Sequence, residues 1–154
     1  MVQYRPAPSS QKRRIAFDSG MQIVELIKKD LKPSDIITRE SLRNAIIADL
    51  ALGGSTNTFL HILAIANAGS INVTLDDFEE LSKKVHQIVK INPSSSLTMT
   101  DFHNAGGVPA VIKSLEKFLS DTQTVSGISI KNIAKQARKD DVVIPDYDLS
   151  LIHI

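Results

Sequence analysis

Apolar residues recur every three or four positions along most of this chain, the spacing that places them on one face of an α-helix. Over residues 11–31 they alternate with Lys, Arg, Asp and Glu, and Pro33 follows as a stop signal. We therefore predict one long amphipathic helix there, which begins at a Ser9-Ser10 cap and tolerates Gly20.

A second and a third helix are predicted on either side of a glycine pair. Thr38 is a typical N-cap and Glu40 suits the positive end of a helix dipole, so we expect a helix over residues 39–52 that ends at Gly53-Gly54. The segment after it is so apolar that we expect it to be nearly enclosed and to form the core. Its apolar residues are Phe59, Leu60, Ile62, Leu63, Ile65 and Ala66.

The second half of the chain repeats these start signals. Thr74-Leu75-Asp76-Asp77 fits a capping box, and Thr98-x-x-Asp101 is a second cap pattern before a short helical turn that closes at Gly106-Gly107. Pro109 suits the first turn of the following helix, and a further helical pattern begins at Ser129. Phe78, Leu81 and Val85 share the apolar face of the helix after the capping box.

Strand signals are confined to two short β-branched runs, "QTVSG" at residues 123–127 and "DVVIP" at residues 141–145. Turn residues bound each run, and neither has an obvious pairing partner. The pattern therefore predicts a mostly α fold with one or two short strands. Strands without partners are typical of an incomplete fold.

Composition narrows the class of protein. The chain has 154 residues, 42% of them hydrophobic and 23% charged, with a formal net charge of +1 and no block of basic residues, which gives a nucleic-acid partner no support. No apolar run reaches the roughly 18 residues that would span a membrane, and the first residues lack the apolar core of a signal peptide. We therefore expect a cytoplasmic protein that binds neither membrane nor nucleic acid.

The chain contains no cysteine. This excludes disulfides, a thiol nucleophile and a thiolate-ligated metal cluster held by this sequence alone.

The strongest candidate for a ligand site is "ALGGSTNTFLH", a corner between two predicted helices. Backbone N–H groups at a helix start bind carboxylates or phosphates, which makes a binding loop of Gly53, Gly54, Ser55, Thr56 and Asn57. The alternative is capping alone, in which the glycines end one helix in a left-handed turn and Ser55 or Thr56 starts the next. Spacing by itself favours capping. The corner has neither the Gly-Lys-Ser/Thr of a Walker loop nor the Gly-x-Gly-x-x-Gly spacing of dinucleotide sites.

Other candidate residues favour structural interpretations. The four histidines, His61, His86, His103 and His153, lack metal-site spacing. His61 falls in the most apolar helix, which favours a hydrogen-bonded core histidine.

Three acidic groups are also better explained without chemistry. Asp101 and His103 share one turn, as an acid–base pair would, but a cap explains Asp101 more simply. Asp76-Asp77 and Glu79-Glu80 complement a helix dipole better than they suggest a metal site. We find no catalytic residue and no metal ligand by this route.

Several motifs in succession resemble the dihydroxy-acid dehydratase and phosphogluconate dehydratase family. They are "GGSTNTFLHILAIANAGSINVTLDDFEELSKKV", "INPSS" and "MTDFHNAGGVPAVIKSL", followed by "TVSGISIKNI" and "VVIPDYD". The resemblance runs from about Pro6 to Asp148. The residues after Asn57, "TFLHILAIA", and "VTLDDF" are similar to the dihydroxy-acid dehydratase branch.

The resemblance implies a hydro-lyase of valine and isoleucine biosynthesis that removes water from a small 2,3-dihydroxy-3-methyl acid to give a 2-oxo acid. It also implies an enzyme that uses an iron–sulfur cluster and Mg²⁺, takes the substrate proton with a serine, and is a homo-oligomer. In the family the cluster cysteines lie N-terminal to the matched region, the metal ligands lie mainly there too, and the serine lies in a later domain. None has a counterpart here.

We therefore expect an internal fragment, inactive alone. Residues 9–148 are predicted to be the second half of the family's N-terminal α/β domain, residues 1–8 a lead segment, and residues 149–154 a non-native tail. The loop of residues 53–57 is expected at the substrate or subunit contact region of the parent enzyme. Two alternatives remain open: a fragment of a sugar-acid dehydratase of the phosphogluconate type, and a free-standing helical binding module.

Overall fold

Helices joined by turns and extended segments make up residues 10–147, the part of the chain that the computed structural model describes. Four of them precede residue 70: α1 (Ser10–Lys28), α2 (Pro33–Ile36), α3 (Arg39–Leu52) and α4 (Asn57–Ala68). Four follow: α5 (Leu75–Ser82), α6 (Met99–Asn104), α7 (Gly107–Ser114) and α8 (Ile130–Gln136). The predicted lead segment 1–8, Ser9 and the predicted tail 149–154 lie outside the described residues.

Helix starts fall where the capping residues predict them. Thr38 Oγ1 accepts a hydrogen bond from Ser41 N–H (3.2 Å) at the start of α3, and Asp77 Oδ2 accepts one from Thr74 N–H (3.0 Å) at the start of α5. Thr98 and Ser129 are the N-caps of α6 and α8. These side chains satisfy N–H groups that the first turn of a helix leaves without partners, so the predicted starts of these helices are confirmed. Helix α5 ends at Ser82, so the prediction that Val85 shares its apolar face is wrong.

The predicted strands are absent: residues 10–147 contain no β-strand, so the expectations of one or two short strands and of a partial α/β domain are wrong for them. In "QTVSG", Gly127 N–H donates to Thr124 O (3.0 Å), which closes a turn. In "DVVIP", Val143 and Ile144 N–H both donate to Asp140 O (3.2 and 2.9 Å). Because these N–H groups bond within their own segment, they cannot form the inter-segment ladder that a strand requires.

The core forms around α3, which packs against α4, α5 and α7, while α6 and α8 pack against α7. Ile46 of α3 and Val111 of α7 are fully buried there, and so are Val89, Leu115 and Ile144 from the connecting segments. Ile144 explains the apolar run in "DVVIP": it anchors an irregular segment in the core. Burial of such side chains stabilises a fold by about 1.5–3 kcal/mol each.

Helix α4 is less enclosed than predicted. Its Ile62 and Ala66 are buried, but Leu60 and Ile65 are exposed. The helix packs against α3, and its Phe59 ring lies 4.4 Å from that of Phe78 in α5, so only one side of an all-round apolar helix is covered. The prediction that this helix is nearly enclosed is therefore wrong.

Between residues 10 and 147 no helix combines the length and the apolar character needed to cross a bilayer.

Candidate functional site

The corner between α3 and α4 begins with a left-handed turn at Gly53. Gly53 has φ 64° and ψ 46°, and it caps α3 by donating its N–H to Leu50 O (3.1 Å), while Gly54 N–H donates to Asp49 O (2.9 Å). A Cβ on Gly53 would overlap the Gln87 amide as well as requiring this strained φ. The predicted left-handed helix end is therefore confirmed.

The second half of the corner starts α4. Ser55 O accepts from Thr58 N–H (2.9 Å), and Ser55 Oγ accepts from Asn57 N–H (3.3 Å). Thr56 is the N-cap residue by position, but its side chain makes no capping hydrogen bond. Residues 53–57 are all exposed, so the structure brings the five predicted loop residues together on the surface.

Asp49 adds a carboxylate that the sequence reasoning missed. It lies over Gly54 so closely that a Cβ at residue 54 would overlap its carboxylate oxygen. Burial raises the pKa of Asp49, and a hydrogen bond from the Thr58 hydroxyl partly opposes that shift. A carboxylate here favours hydroxyl or cationic groups over the carboxylate or phosphate that the free N–H groups alone suggest. The sequence does contain a signal for Asp49: it is an acidic residue in the last turn of a helix, where the helix dipole disfavours a negative charge.

An extended segment fixes the corner from behind. Ile88 and Val89 N–H both donate to Ala51 O in the last turn of α3 (2.9 and 3.3 Å). The Gln87 side chain lies against Gly53 and donates from Nε2 to Val89 O (2.8 Å). These contacts satisfy a carbonyl group that a helix end leaves without a partner, so the corner is held in one geometry.

The histidines do not converge on this corner. His61 is exposed on α4, so the prediction of a core histidine is wrong. The His86 ring stacks on Tyr147 (4.2 Å between centroids), and its buried Nδ1 has no hydrogen-bond partner in the described part of the chain. His103 is half-buried in α6, and His153 lies outside the described residues.

Asp101 acts as a helix cap in the structure. Its Oδ2 accepts from the Thr98 N–H (2.7 Å) and the Thr98 hydroxyl (2.6 Å), and the hydroxyl bond followed by the backbone bond lowers the pKa of Asp101. The capping interpretation of Asp101 is confirmed. Because Asp101 Oδ2 already accepts two hydrogen bonds from Thr98, a structural role explains this carboxylate better than an acid–base pair with His103 does.

Asp77 is more than a complement to the helix dipole. Its buried Oδ1 accepts from Arg39 Nη2 (2.8 Å) and Arg43 Nη1 (2.6 Å) of α3, and Arg43 Nη2 also lies 3.5 Å from Glu80. Two guanidinium groups thus occupy the carboxylate that a metal would need. Across residues 10–147, no group of three His, Asp or Glu side chains is placed to hold a metal ion.

Two depressions on the described part of the chain lie away from the corner. One has a volume of about 610 Å³ and is lined by His103, Asn104, Gly106, Arg138 and neighbours; the other, of about 420 Å³, is an apolar groove between α3, α7 and residues 119–125. Neither includes residues 53–57.

Comparison with known proteins gives consistent matches. The family model described as "Dihydroxy-acid/6-phosphogluconate dehydratase N-terminal" matches residues 2–133. The "Dihydroxy-acid dehydratase" of Endomicrobium trichonymphae is 50% identical over 139 residues, which cover 90% of this chain and 25% of that protein. The proteins of the same name from Thermodesulfovibrio yellowstonii and Methanococcus vannielii are 51% and 53% identical over 132 and 133 residues, each covering 86% of this chain and 24% of the relative.

The chain thus spans about a quarter of the length of the curated relatives that it matches. All three relatives carry the dihydroxy-acid dehydratase name, which favours neither a sugar-acid dehydratase nor a free-standing binding module.

Proposed function

This chain belongs to the dihydroxy-acid/6-phosphogluconate dehydratase family, and we propose that it functions as part of a dihydroxy-acid dehydratase. The observation that carries the proposal is identity of 50–53% to enzymes of that name over 86–90% of the chain. The proposed reaction removes water from a 2,3-dihydroxy-3-methyl acid and yields a 2-oxo acid for branched-chain amino acid synthesis. We expect the whole enzyme to be cytoplasmic and homo-oligomeric.

Within that enzyme, we assign to residues 53–57 a place at the substrate or subunit contact region. The corner is exposed and held by backbone hydrogen bonds, and it combines the Ser55 hydroxyl, the Asn57 amide and the Asp49 carboxylate beside Gly54. Carboxylate and amide oxygens accept hydrogen bonds from hydroxyl groups, which are the groups a dihydroxy acid offers. The remainder of the described chain supplies a helical scaffold for this corner.

The iron–sulfur cluster and Mg²⁺ expected of the family do not fit the donors of this chain. Cluster iron is bound by cysteine thiolates, and this sequence has no cysteine. The buried carboxylate of Asp77 is bound by Arg39 and Arg43, which leaves it poorly suited to Mg²⁺. Ligands for both groups are therefore expected from residues outside this sequence.

A full-length chimera tests the proposal. The 132 residues of the T. yellowstonii enzyme that match this chain are replaced by their counterparts here, and product formation is measured with 2,3-dihydroxyisovalerate and with 6-phosphogluconate. We expect 2-oxo acid from the dihydroxy acid. A folded, cofactor-loaded chimera that is inactive or prefers 6-phosphogluconate would contradict the proposal.

The corner is tested in the same chimera by Asn57→Ala, with Asn67→Ala as the matched control at the other, exposed end of α4. If the corner contacts substrate or a neighbouring subunit, Asn57→Ala lowers kcat/KM or weakens assembly, while Asn67→Ala does neither. Equal effects of the two variants would remove residues 53–57 from the site.

A further inference from the structure

Helix α1 lies on the rest of the molecule with its less apolar side. At 100° per residue, Ile15, Gln22 and Leu26 share a side, and these residues line a cleft with Val125 and Ser126. Gln22 Nε2 donates to Val125 O (2.7 Å) across that contact. A surface helix of a globular protein normally turns its apolar stripe inward, and α1 does not.

The opposite side of α1 carries larger apolar residues and faces solvent. The exposed fractions are 69% for Phe17, 55% for Met21, 45% for Val24 and 72% for Ile27. Ile23 lies at the edge of this side: it is 57% exposed and also lines the cleft. These five residues fall within an arc of about 160° on the helix, which also contains Ala16 and Gly20. We call them the α1 outer face. A group of large exposed apolar side chains on one side of a helix is typical of an interaction site.

Charge restricts what can cover the α1 outer face. Arg13 and Lys28 lie within the arc, and Lys12 and Arg14 lie about 20° outside its two edges. Lys28 also pairs with Glu25. The acidic residues of the helix, Asp18 and Glu25, lie outside the arc, about 60° and 40° from its nearer edge. Two copies of this face would bring cations against cations in either a parallel or an antiparallel arrangement, which disfavours pairing. The charges around the α1 outer face are complementary to an apolar surface with carboxylates at its rim.

We propose that the α1 outer face docks on the part of a dihydroxy-acid dehydratase that lies outside the matched segment, through an apolar surface rimmed by Asp or Glu side chains. This inference rests on the proposed function. The matched segment is only 24–25% of each relative, so three quarters of such an enzyme is available as the partner. The helix, at about 28 Å, is as long as a small domain is wide.

The test compares Met21 in two proteins: the 154-residue chain and the full-length chimera described above. Hydrogen peroxide converts an exposed methionine to its sulfoxide, and mass spectrometry follows the rate at each methionine. We expect Met21 to react at least about tenfold more slowly in the folded chimera than in the 154-residue chain, and to recover its rate when the chimera is denatured. An equal rate in the folded chimera overturns the proposal.

Paired variants give a second measurement. Phe17→Gln with Ile27→Gln is expected to lower the apparent Tm of the chimera but not that of the 154-residue chain, where both side chains are already exposed. Lys29→Gln, an exposed residue directly after the end of α1, is the matched control and is expected to leave the Tm of both proteins unchanged. If the chimera does not fold, a graft of residues 10–28 alone into the relative is tested in the same way.

Other occupants give distinct results. Concentration-dependent protection of Met21 in the 154-residue chain, with a dimer by ultracentrifugation, would assign the face to a second copy and overturn the proposal. Protection by phosphatidylserine vesicles, but not in the chimera, would assign it to a membrane surface and also overturn it. A chimera that protects Met21 but lacks turnover supports docking and contradicts the proposed function. An active chimera with an exposed Met21 supports the proposed function and contradicts docking.

Discussion

Asp49 and Gly54 show how a single pair of residues changes the chemistry expected of a loop. Two glycines and a serine at a helix start suggest an anion site, but the Asp49 carboxylate lies directly over Gly54. Its negative charge offsets the positive end of α4 and adds an acceptor at the corner. Sequence reasoning identified the loop residues but not this neighbour, because Asp49 belongs to the preceding helix.

Replacing Asp49 by Asn is expected to stabilise the fold at pH 7. Because burial raises the pKa of Asp49, the folded state holds that proton more tightly, and ionisation of the group costs stability as pH rises above the ordinary carboxyl range. The substitution also removes a negative charge from a helix C-terminus, an effect of about 0.3–1 kcal/mol that water screens at this half-buried position. Denaturant unfolding between pH 3 and 7 measures it: the gain should disappear as pH falls through about 4.

Asp101→Asn is the control with the opposite sign. Bonds from the Thr98 hydroxyl and N–H lower the pKa of Asp101, so its contribution is present above the ordinary carboxyl pKa and is lost as pH falls through the lowered value. We expect Asp101→Asn to destabilise the chain at pH 7 and to have less effect in acid. The same sign for both variants at pH 7 would contradict these assignments.

Gly53 and Gly20 should respond oppositely to alanine. Gly53→Ala places a Cβ in a left-handed conformation and against Gln87, so we expect a loss of about 1–2 kcal/mol in the free energy of unfolding. Gly20 lies inside α1, where an added Cβ would meet no atom within 4 Å, and Gly20→Ala should add about 0.5–1 kcal/mol through helix propensity. Denaturant titration of both variants measures the difference.

At the scale of elements, capping residues in the sequence predicted helix starts correctly, whereas the predicted burial of α4 was wrong. Thr38, Thr98 and Ser129 mark helix starts because a cap bonds to N–H groups within the next three residues, a range that the sequence displays. The enclosure predicted for α4 failed because burial depends on what packs against a helix. The strand predicted at residues 141–145 failed because a β-branched run also suits an irregular segment that buries one side chain, here Ile144.

The link between α3 and α5 was beyond prediction for the same reason. Arg39 and Arg43 are four residues apart and share one side of α3, which the sequence shows. Their partner Asp77 is 38 and 34 residues away from them. No spacing rule connects the three, so the ion pairs appear only once the helices are packed.

Asp77→Asn is therefore expected to weaken the contact between α3 and α5. The carboxylate is buried and accepts from two guanidinium groups and from Thr74 N–H. Hydrogen bonds to charged groups contribute about 1.5–3 kcal/mol each, so we expect a loss of at least that size in the free energy of unfolding. Asp76→Asn, an exposed neighbour in the same helical turn, is the control and should change stability by less than about 0.5 kcal/mol. Equal losses would mean that the ion pairs do not stabilise this contact.

At the scale of the whole molecule, large apolar side chains face solvent at several places in residues 10–147, among them the α1 outer face and, on separate sides of α4, Leu60 and Ile65. Composition did not predict this, because 42% hydrophobic residues are typical of a protein that buries its apolar surface. The resemblance of the motifs did predict the family, because the order of short motifs can be read from the sequence and packing cannot. These exposed side chains are consistent with a segment that works inside a larger enzyme.

The absence of cysteine leads to the final prediction, which concerns the 154-residue chain by itself. Reconstituted with iron, sulfide and reductant, it is expected to show no iron–sulfur absorbance and no 2-oxo acid from 2,3-dihydroxyisovalerate, because cluster iron needs thiolate ligands and this sequence offers none. The full-length T. yellowstonii enzyme, treated in parallel, controls for the reconstitution. Cluster absorbance together with turnover by this chain would require a different set of ligands. It would contradict the proposal that these residues shape a site whose metal ligands come from other residues.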